Sequence, residues 1–572
     1  MQAHSKHRRR KAVIGSIASA LVVSAALLLS LRVSANGASS SGDSLQQGHP
    51  ALAAGAQADV AQADVAQANV ADNIDEGHTQ NDDNPITETQ WVGMVISTPI
   101  DGLIGQWQIM VTPTIASVVT VNASTDLHHF GEQNMPEPGV WVEAKGTIQP
   151  DGSLLARRLR PDDFEDGEVV VRLRSGGSAD AAKQFADSHN LKQIDALLAS
   201  AGIYRFRTDG DERDETTSLS SDPNVIWAEV NFTNAIPKDP EGNPYRSWKW
   251  GGTDASGYSN QSAFNQVNLA PAQSQYKGDG IIVAILDTGI DLAHPAFSGK
   301  LVPASAMRDM ISDDAIPQDG PEPGQAPGVA QGHGTHVSGI VAHIAPNAKI
   351  MPIRVLDANG RGNTFVLAYA IDWAVQHGAD VINLSLGTDA ESTVLSNSIS
   401  SAIAQGVVVV AAAGNNNFSI PQYPAAYAGV LGVTAVDEHA LKATFANFGA
   451  SWVDLAAPGV GITSTVPAET GVLYASWSGT SMATPFASGA AALARQKLPN
   501  DSAAQIGEIL IAAGDDIDLL NPSYGNQLGR QLDIGAALGA ALVEGPPVSP
   551  PVDPPPVDTV SMHLFLPTVS RH

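Results

Sequence analysis

The sequence predicts an α/β domain with a doubly wound, mostly parallel sheet over residues 262–543, preceded by a small all-β module and an α+β unit. Three observations carry this. Ile281–Leu286, Ile350–Val355, Val381–Leu386 and Val407–Ala412 are mainly apolar runs, and strands apolar on both faces belong to a buried parallel sheet. Helical patterns such as Val337–Ile344 and Thr364–His377 lie between them, giving strand–helix alternation. Upstream the pattern changes, first to short alternating runs and then to a strand–helix mixture.

The chain has 572 residues, no cysteine, 31 Lys+Arg against 59 Asp+Glu, and a net charge of −28. At ~100–200 residues per domain, three or more domains are expected. The missing cysteine excludes a disulfide framework, Cys-ligated zinc, iron–sulfur clusters and a thiol nucleophile. The acidic balance argues against nucleic acid or anionic membrane as a partner, since both need basic surface.

Residues 1–35 read as a secretory signal. His7-Arg8-Arg9-Arg10-Lys11 is followed by an apolar run from Ala12 to Leu31 and the small residues around Ala35. Cleavage near Ala35 is expected, with no membrane in the mature form and a location outside the cytoplasm. The run is ~20 residues, so an uncleaved anchor is the alternative. Residues 36–88 form a low-complexity stalk in which Ala56-Gln57-Ala58-Asp59-Val60 repeats.

Over 89–162 the runs Trp91–Ser97, Trp107–Thr112, Ser117–Asn122, Val140–Ile148 and Ser153–Leu159 are separated by turns such as Asp151-Gly152. They predict a small barrel. The stretches Val142–Thr147 and Asp151–Ala156 resemble a small β-barrel family of secreted bacterial proteins, which brings no chemistry with it. Over 166–238, strand Glu168–Leu173, helix Asp180–His189 and strand Val225–Asn231 form a compact α+β unit. Taken alone, it is an interaction domain or a propeptide. Residues 544–572 are a Pro-rich linker ending in the apolar tail Met562–Pro567, a sorting signal or a frayed end.

Four segments of the large domain carry chemistry. Val283–Asp291 ends a buried strand at Asp287, where open α/β sheets place functional groups. In Gly332-His333-Gly334-Thr335-His336, glycines flank His333 and a helix follows. His333, His336 and His343 suggest a metal set, but the Glu of a zinc helix motif and a clear third ligand are missing, so His336 and His343 read as structural. Val408–Ala412 runs into Ala413-Gly414-Asn415, where an Asn amide serves an oxyanion or merely a left-handed turn. Ser478-Gly479-Thr480-Ser481 enters an Ala-rich helix, with Pro485 expected in its first turn and Ser481 a nucleophile or merely an N-cap. Together they supply an acid, a base, an oxyanion donor and a nucleophile. A serine hydroxyl needs a base to take its proton, and the base needs an acid to fix its tautomer.

These blocks, spanning about Gln261 to Leu542, resemble the subtilisin-like serine peptidases (subtilases), whose chain order Asp, His, Ser is repeated by Asp287, His333 and Ser481. The resemblance implies a serine endopeptidase with a subtilisin-like fold and no cofactor needed for the chemistry. Asp287 would orient the base, His333 act as general base and acid, and Ser481 attack. Asn415 and the Ser481 N–H would hold the oxyanion, each such donor being worth ~10²–10³ in turnover. Ser385-Leu386-Gly387 matches the substrate-pairing strand, and Ala412-Ala413-Gly414 the facing wall of the specificity pocket. Backbone pairing of this kind predicts broad tolerance among protein and peptide substrates. The unit at 166–238, ending Asp222–Asn231, looks like the family's inhibitory propeptide, removed by self-cleavage between Asn231 and Ser262.

Two departures stand out. The usual tight calcium site has an Asp nine residues after the catalytic Asp and an Asn loop after the His helix. Here Ala296 and Ala345-Pro346-Asn347 stand there, so that site is expected to be absent. Asp309, Asp313, Asp314 and Asp319 are candidates for calcium elsewhere, weighed against an ordinary solvated loop. Val329 replaces the frequent acidic residue four before the His, and Gln422 falls at the pocket floor, predicting a neutral pocket that favours Leu, Phe, Met or Gln over Arg. A silent scaffold is the first competing reading, but no member of the quartet is missing. An esterase is the second, but the Gly-x-Ser-x-Gly elbow is absent around Ser481.

Overall fold

The computed structural model describes residues 89–99, 103–112, 115–127, 141–161, 163–237, 249–321, 328–468 and 471–539. The expected signal, stalk, Pro-rich linker and apolar tail lie outside them.

Five strands close a barrel: β1 (Thr89–Ser97), β2 (Gly105–Thr112), β3 (Ile115–Val121), β4 (Trp141–Ile148) and β5 (Leu154–Pro161), in the order β1-β2-β3-β5-β4. Alternation places Trp107, Ile109, Val119, Val142, Leu154 and Leu159 inside with no exposed surface. Closure leaves no free sheet edge.

The next unit contains β6 (Phe164–Leu173), α1 (Ala179–Ser188), β7 (Lys192–Asp195), β8 (Ile203–Arg207), α2 (Glu212–Leu219) and β9 (Val225–Ala235). Val169, Val171, Phe185, Tyr204, Phe206 and Leu219 pack its core. Its sheet has the order β9-β6-β8-β7, and a short strand of the following domain, Arg361–Asn363, is added outside β9.

That domain opens with β10 (Lys249–Gly252) and three short helices, α3 (Ser256–Ser259), α4 (Ser262–Gln266) and α5 (Leu269–Gln273). There follow β11 (Ile282–Asp287), β12 (Arg308–Asp309), α6 (His333–Ile344), β13 (Lys349–Arg354), β14 (Arg361–Asn363) and α7 (Thr364–Gln376). Next come β15 (Val381–Leu384), α8 (Thr393–Ala404), β16 (Val408–Ala412), β17 (Leu431–Val436), β18 (Leu455–Pro458), β19 (Ile462–Thr465) and β20 (Tyr474–Trp477). The chain continues through α9 (Thr480–Lys497), α10 (Ala503–Ala513), β21 (Arg530–Gln531) and α11 (Ile534–Ala537).

The eight-stranded sheet runs β12-β13-β11-β15-β16-β17-β18-β21, and its ladders are parallel. Along β11 the side chains alternate between two cores. Val283 and Ile285 face α6 and α9 through Val337, Ile340 and Phe486. Ala284 and Leu286 face α7 and α8 through Leu367, Ile371, Leu395 and Ile399. This two-sided burial explains why the strands read as apolar throughout. From β11 the chain steps outward to β13 on one side and to β15 on the other. Such a switch opens a crevice at the carboxyl ends of the strands.

Two local expectations change. The helix at Ser481 starts at Thr480, so Pro485 is its sixth residue and lies beyond the first turn. The strand expected over Val381–Leu386 ends at Leu384, and buried Ser385 lies just past it, bonded to the Ser481 carbonyl.

Candidate active site

Asp287 is the last residue of β11 and His333 the first of α6. His333 Nδ1 lies 2.6 Å from Asp287 Oδ1, and both side chains are fully buried. A carboxylate at Nδ1 keeps the proton there and leaves Nε2 as the basic nitrogen. Gly334 allows the approach, since a methyl group on it would stand 2.1 Å from Gly289 O and 3.2 Å from Asp287 Oδ1.

Ser481 is the second residue of α9 and not its N-cap, which is Gly479. Its Oγ donates to Ser385 O at 3.3 Å, just past β15. The free N–H groups and partial positive charge of a helix start surround it. Beneath it Ser385 Oγ donates to Ser481 O at 3.0 Å, Asn383 Nδ2 donates to Ser385 Oγ at 3.0 Å, and Ser488 Oγ donates to Asn383 Oδ1 at 2.8 Å.

Asn415 follows β16. Its Oδ1 accepts from Thr480 N and Thr480 Oγ1, both at 2.9 Å. That turns Nδ2 toward the Gly479–Ser481 turn, where a methyl on Gly479 would stand 3.3 Å from it. The left-handed conformation belongs to Gly414, with φ +100°, and not to Asn415. Asn447 holds this loop. It donates from Nδ2 to Ala413 O at 2.9 Å, and its Oδ1 accepts from Asn416 N and Phe418 N at 2.9 and 3.0 Å.

Asp287 with His333 thus lies at the carboxyl end of β11, Ser481 beside that of β15 and Asn415 after β16, and these are three neighbouring strands. Leu386 and Ala413 turn their side chains into the core, so each offers only backbone to the crevice. Ala412, the last residue of β16, pairs with Val433. Gly387 exchanges both main-chain hydrogen bonds with Ala235, at 2.8 and 3.0 Å. A methyl on Gly414 would stand 3.3 Å from Gln422 Cγ, and one on Gly387 3.9 Å from Gln422 Oε1. The neutral Gln422 side chain therefore runs between the two walls.

The other histidines are engaged elsewhere. His336 stacks on Trp477 at 4.4 Å and its Nε2 contacts Ala475 O at 3.1 Å. His343 stacks on Phe264 at 4.0 Å, and burial lowers its pKa to about 4, with Lys300 adding to the shift. Among the described residues no group of three or more His, Asp or Glu side chains is placed to hold a metal ion.

The acidic stretch is not a solvated loop throughout. Asp309 accepts from Ile311 N, Ser312 N and Arg354 Nη1. Asp319 is 1% exposed and takes four donors: Gly332 N at 2.9 Å, Thr335 N at 3.0 Å, Thr335 Oγ1 at 2.6 Å and Thr288 Oγ1 at 3.1 Å. Burial outweighs those donors and pushes its pKa up to about 7. Nothing in the local sequence distinguishes Asp319 from its neighbours. Its contacts are tertiary, as are those of Thr288, Asn383 and Asn447.

The Subtilase family profile matches residues 278–527. The "Thermophilic serine proteinase" of Bacillus sp. (strain AK1) is 39% identical over 344 residues, which cover 58% of this chain and 78% of that protein. Subtilisin BL of Lederbergia lenta is 41% identical over 238 residues, covering 40% and 81%. Among solved structures, fervidolysin from Fervidobacterium pennivorans, a keratinolytic enzyme related to subtilisin, superposes with a TM-score of 0.52 at 25% identity. That match covers 66% of this chain and 61% of fervidolysin, so this chain spans less than two thirds of fervidolysin's length. A buried Asp–His pair beside a serine at a helix start, in a domain this similar to known serine proteinases, leads to one conclusion: the chain belongs to the subtilase family and is a serine endopeptidase.

Proposed function

We propose that the chain is a secreted serine endopeptidase of broad specificity, made as a zymogen that cuts itself. Ser481 attacks the substrate carbonyl while His333 Nε2 takes the hydroxyl proton and Asp287 holds the imidazole and its positive charge. The tetrahedral oxyanion is held by Asn415 Nδ2 and the Ser481 N–H. His333 then protonates the leaving amine, and water releases the acyl group by the same steps in reverse. The observation that carries this reading is the 2.6 Å Asp287–His333 contact at the switch point, beside the start of α9.

The zymogen part rests on how β9 leaves its own unit. Thr233, Asn234 and Ala235 pair antiparallel with Asn363, Gly362 and Arg361. Ala235 also pairs antiparallel with Gly387, and Ile236 N donates to Gly360 O at 3.0 Å. The segment thus runs as a strand between Gly360–Asn363 on one side and Gly387 on the other, the way a substrate strand would be held. Continuing the Ala235–Gly387 register two residues sets Pro237 opposite Ser385, whose carbonyl accepts from Ser481 Oγ. This register supports a self-cleavage site near the end of the segment, within the stretch Asn231 to Ser262. Glu229 and Asn231 support docking by accepting from backbone N–H groups at the starts of α8 and α7. Glu229 takes Thr393 N and Val394 N at 2.7 and 2.9 Å, and Asn231 Oδ1 takes Phe365 N at 3.1 Å.

Main-chain pairing and the uncharged Gln422 support broad tolerance, with Leu, Phe, Met or Gln cut faster than Arg at the pocket position. Secretion rests on the basic and apolar segments of residues 1–35. Among the described residues no helix is long and apolar enough to cross a membrane.

Intact mass and N-terminal sequence of the wild type beside Ser481→Ala test the whole reading. The expected wild-type product begins between Asn231 and Ser262, and the variant keeps its N-terminal units. Equal shortening of both would assign the cut to another protease. Retention in both would remove self-processing.

A further inference from the structure

We infer that Asp319 is a positioning residue for the Asp287–His333 pair, its carboxylate tying the turn after β11 to the first turn of α6. The inference rests on the triad reading above.

Asp287 and His333 are 46 residues apart and belong to separate elements. Their contact needs those elements held to a fraction of an ångström. Asp319 takes donors on both sides of His333, from Gly332 N and from Thr335 N and Oγ1. It also takes Thr288 Oγ1, from the residue after Asp287. Thr288 Oγ1 in turn accepts from Gly334 N at 2.9 Å, which closes the connection around His333. With two donors on each oxygen, the carboxylate cannot rotate without breaking bonds to one element or the other.

The loop carrying Asp319 is itself fixed. Ile290 N donates to Pro317 O at 2.9 Å and Asp319 N to Ile290 O at 3.0 Å. Arg354 Nη2 donates to Gly320 O at 3.0 Å, while Nη1 pairs with Asp309. Asp319 is thus oriented before it grips the pair. It touches no reacting atom, so it acts only through His333 and Asp287.

Asparagine keeps the size of Asp319 but turns two N–H donors toward a pair of existing donors. A misplacement of ~1 Å at a catalytic group costs ~100-fold. Asp319→Asn is therefore expected to lower kcat about 10–100-fold with KM within about twofold. Peptide hydrolysis would be followed on enzyme whose N-terminal units have been removed in trans by wild type, beside Thr288→Val, Thr288→Ser and His333→Ala processed the same way. Thr288→Val should lose kcat in the same way, and Thr288→Ser should recover it. The far-downfield proton resonance of His333 Nδ1–H, read in the full chain with Ser481→Ala, should broaden or shift when Asp319→Asn is added. An unchanged kcat in Asp319→Asn together with an unmoved resonance overturns the inference. If Asp319→Asn does not fold, the Thr288 pair decides: equal kcat for Val, Ser and wild type overturns it. Activity surviving in His333→Ala would instead overturn the triad reading.

Discussion

Ser385 Oγ donates to the carbonyl of Ser481 at 3.0 Å, and that is the carbonyl Pro485 cannot use. In a helix the N–H four residues on would bond to it, but Pro485 has none. The side chain past β15 thus supplies the bond that the helix omits. It fixes the residue bearing the proposed nucleophile to the segment Ser385–Gly387, which we propose pairs with substrate.

Ser385→Ala leaves the Ser481 carbonyl and Asn383 Nδ2 each short of a partner. A buried unsatisfied group costs ~1–3 kcal/mol. If about half of that appears in the transition state, kcat/KM falls roughly tenfold. Steady-state hydrolysis of a Leu-containing peptide by processed Ser385→Ala checks this, and Ser385→Thr should retain most activity. Wild-type rates in Ser385→Ala would mean the carbonyl finds another donor.

Gly334→Ala would place a methyl 2.1 Å from Gly289 O and 3.1 Å from Asp287 Cβ. Backbone cannot yield there without separating α6 from the end of β11. Overpacking of this kind costs ~1–3 kcal/mol, and the separation lengthens the 2.6 Å Asp287–His333 contact. Activity should fall at least ~100-fold, with a lowered Tm in the Ser481→Ala background.

How much was legible follows from where each contact lies along the chain. Asp287, His333, Asn415 and Ser481 sit in local patterns that show in sequence: an apolar strand ending in a polar residue, or glycines before a helix. The parallel sheet was legible because burial on both faces makes β11 and β16 apolar throughout. Asp319 was not, because its four donors come from residues 13 to 31 positions away and its own neighbours are ordinary loop residues. The position of Pro485 within α9 is not legible, since nothing local tells whether the helix begins at Thr480 or later. Glu229 and Asn231 read as strand residues, and their role at the starts of α7 and α8 exists only in the docked arrangement.

The barrel should leave with the α+β unit as one fragment after cleavage. Across their junction Asp166 pairs with Lys145 at 2.9 Å and with Arg158. Arg158 and Arg160 both reach Glu143, at 3.0 and 2.8 Å. Arg160 is fully buried and lies 4.1 Å over the ring of Phe164, the first residue of β6. Removing one partner of such a pair costs ~3–5 kcal/mol. Gel filtration of processed wild type should show residues 89–237 as a single species. Glu143→Ala should make the 89–161 region sensitive to limited proteolysis. A barrel that remains with the mature enzyme would disprove the joint departure.

Docking of the N-terminal units should weaken as pH rises through about 7. Glu165 is pushed up to about 7, mainly by burial and then by Glu168, with Asp357 of the catalytic domain adding repulsion and Arg205 and Arg160 opposing it. A carboxyl raised in the assembled state holds a proton that the separated state releases. Its stabilisation is full below the ordinary value near 4.5 and is lost as pH passes about 7. Glu229, raised by burial against α8, has the same sign. Asp166 is lowered to about 2 while bonded to Lys145 and Arg158, so it does not change between pH 5 and 9 and cannot mask the trend. In the Ser481→Ala chain, Tm of the N-terminal units should drop between pH 5.5 and 8.5. Glu165→Gln, which carries no charge at either pH, should flatten that slope. A stability that instead rises with pH would show that the carboxylates at this junction are better paired when ionised.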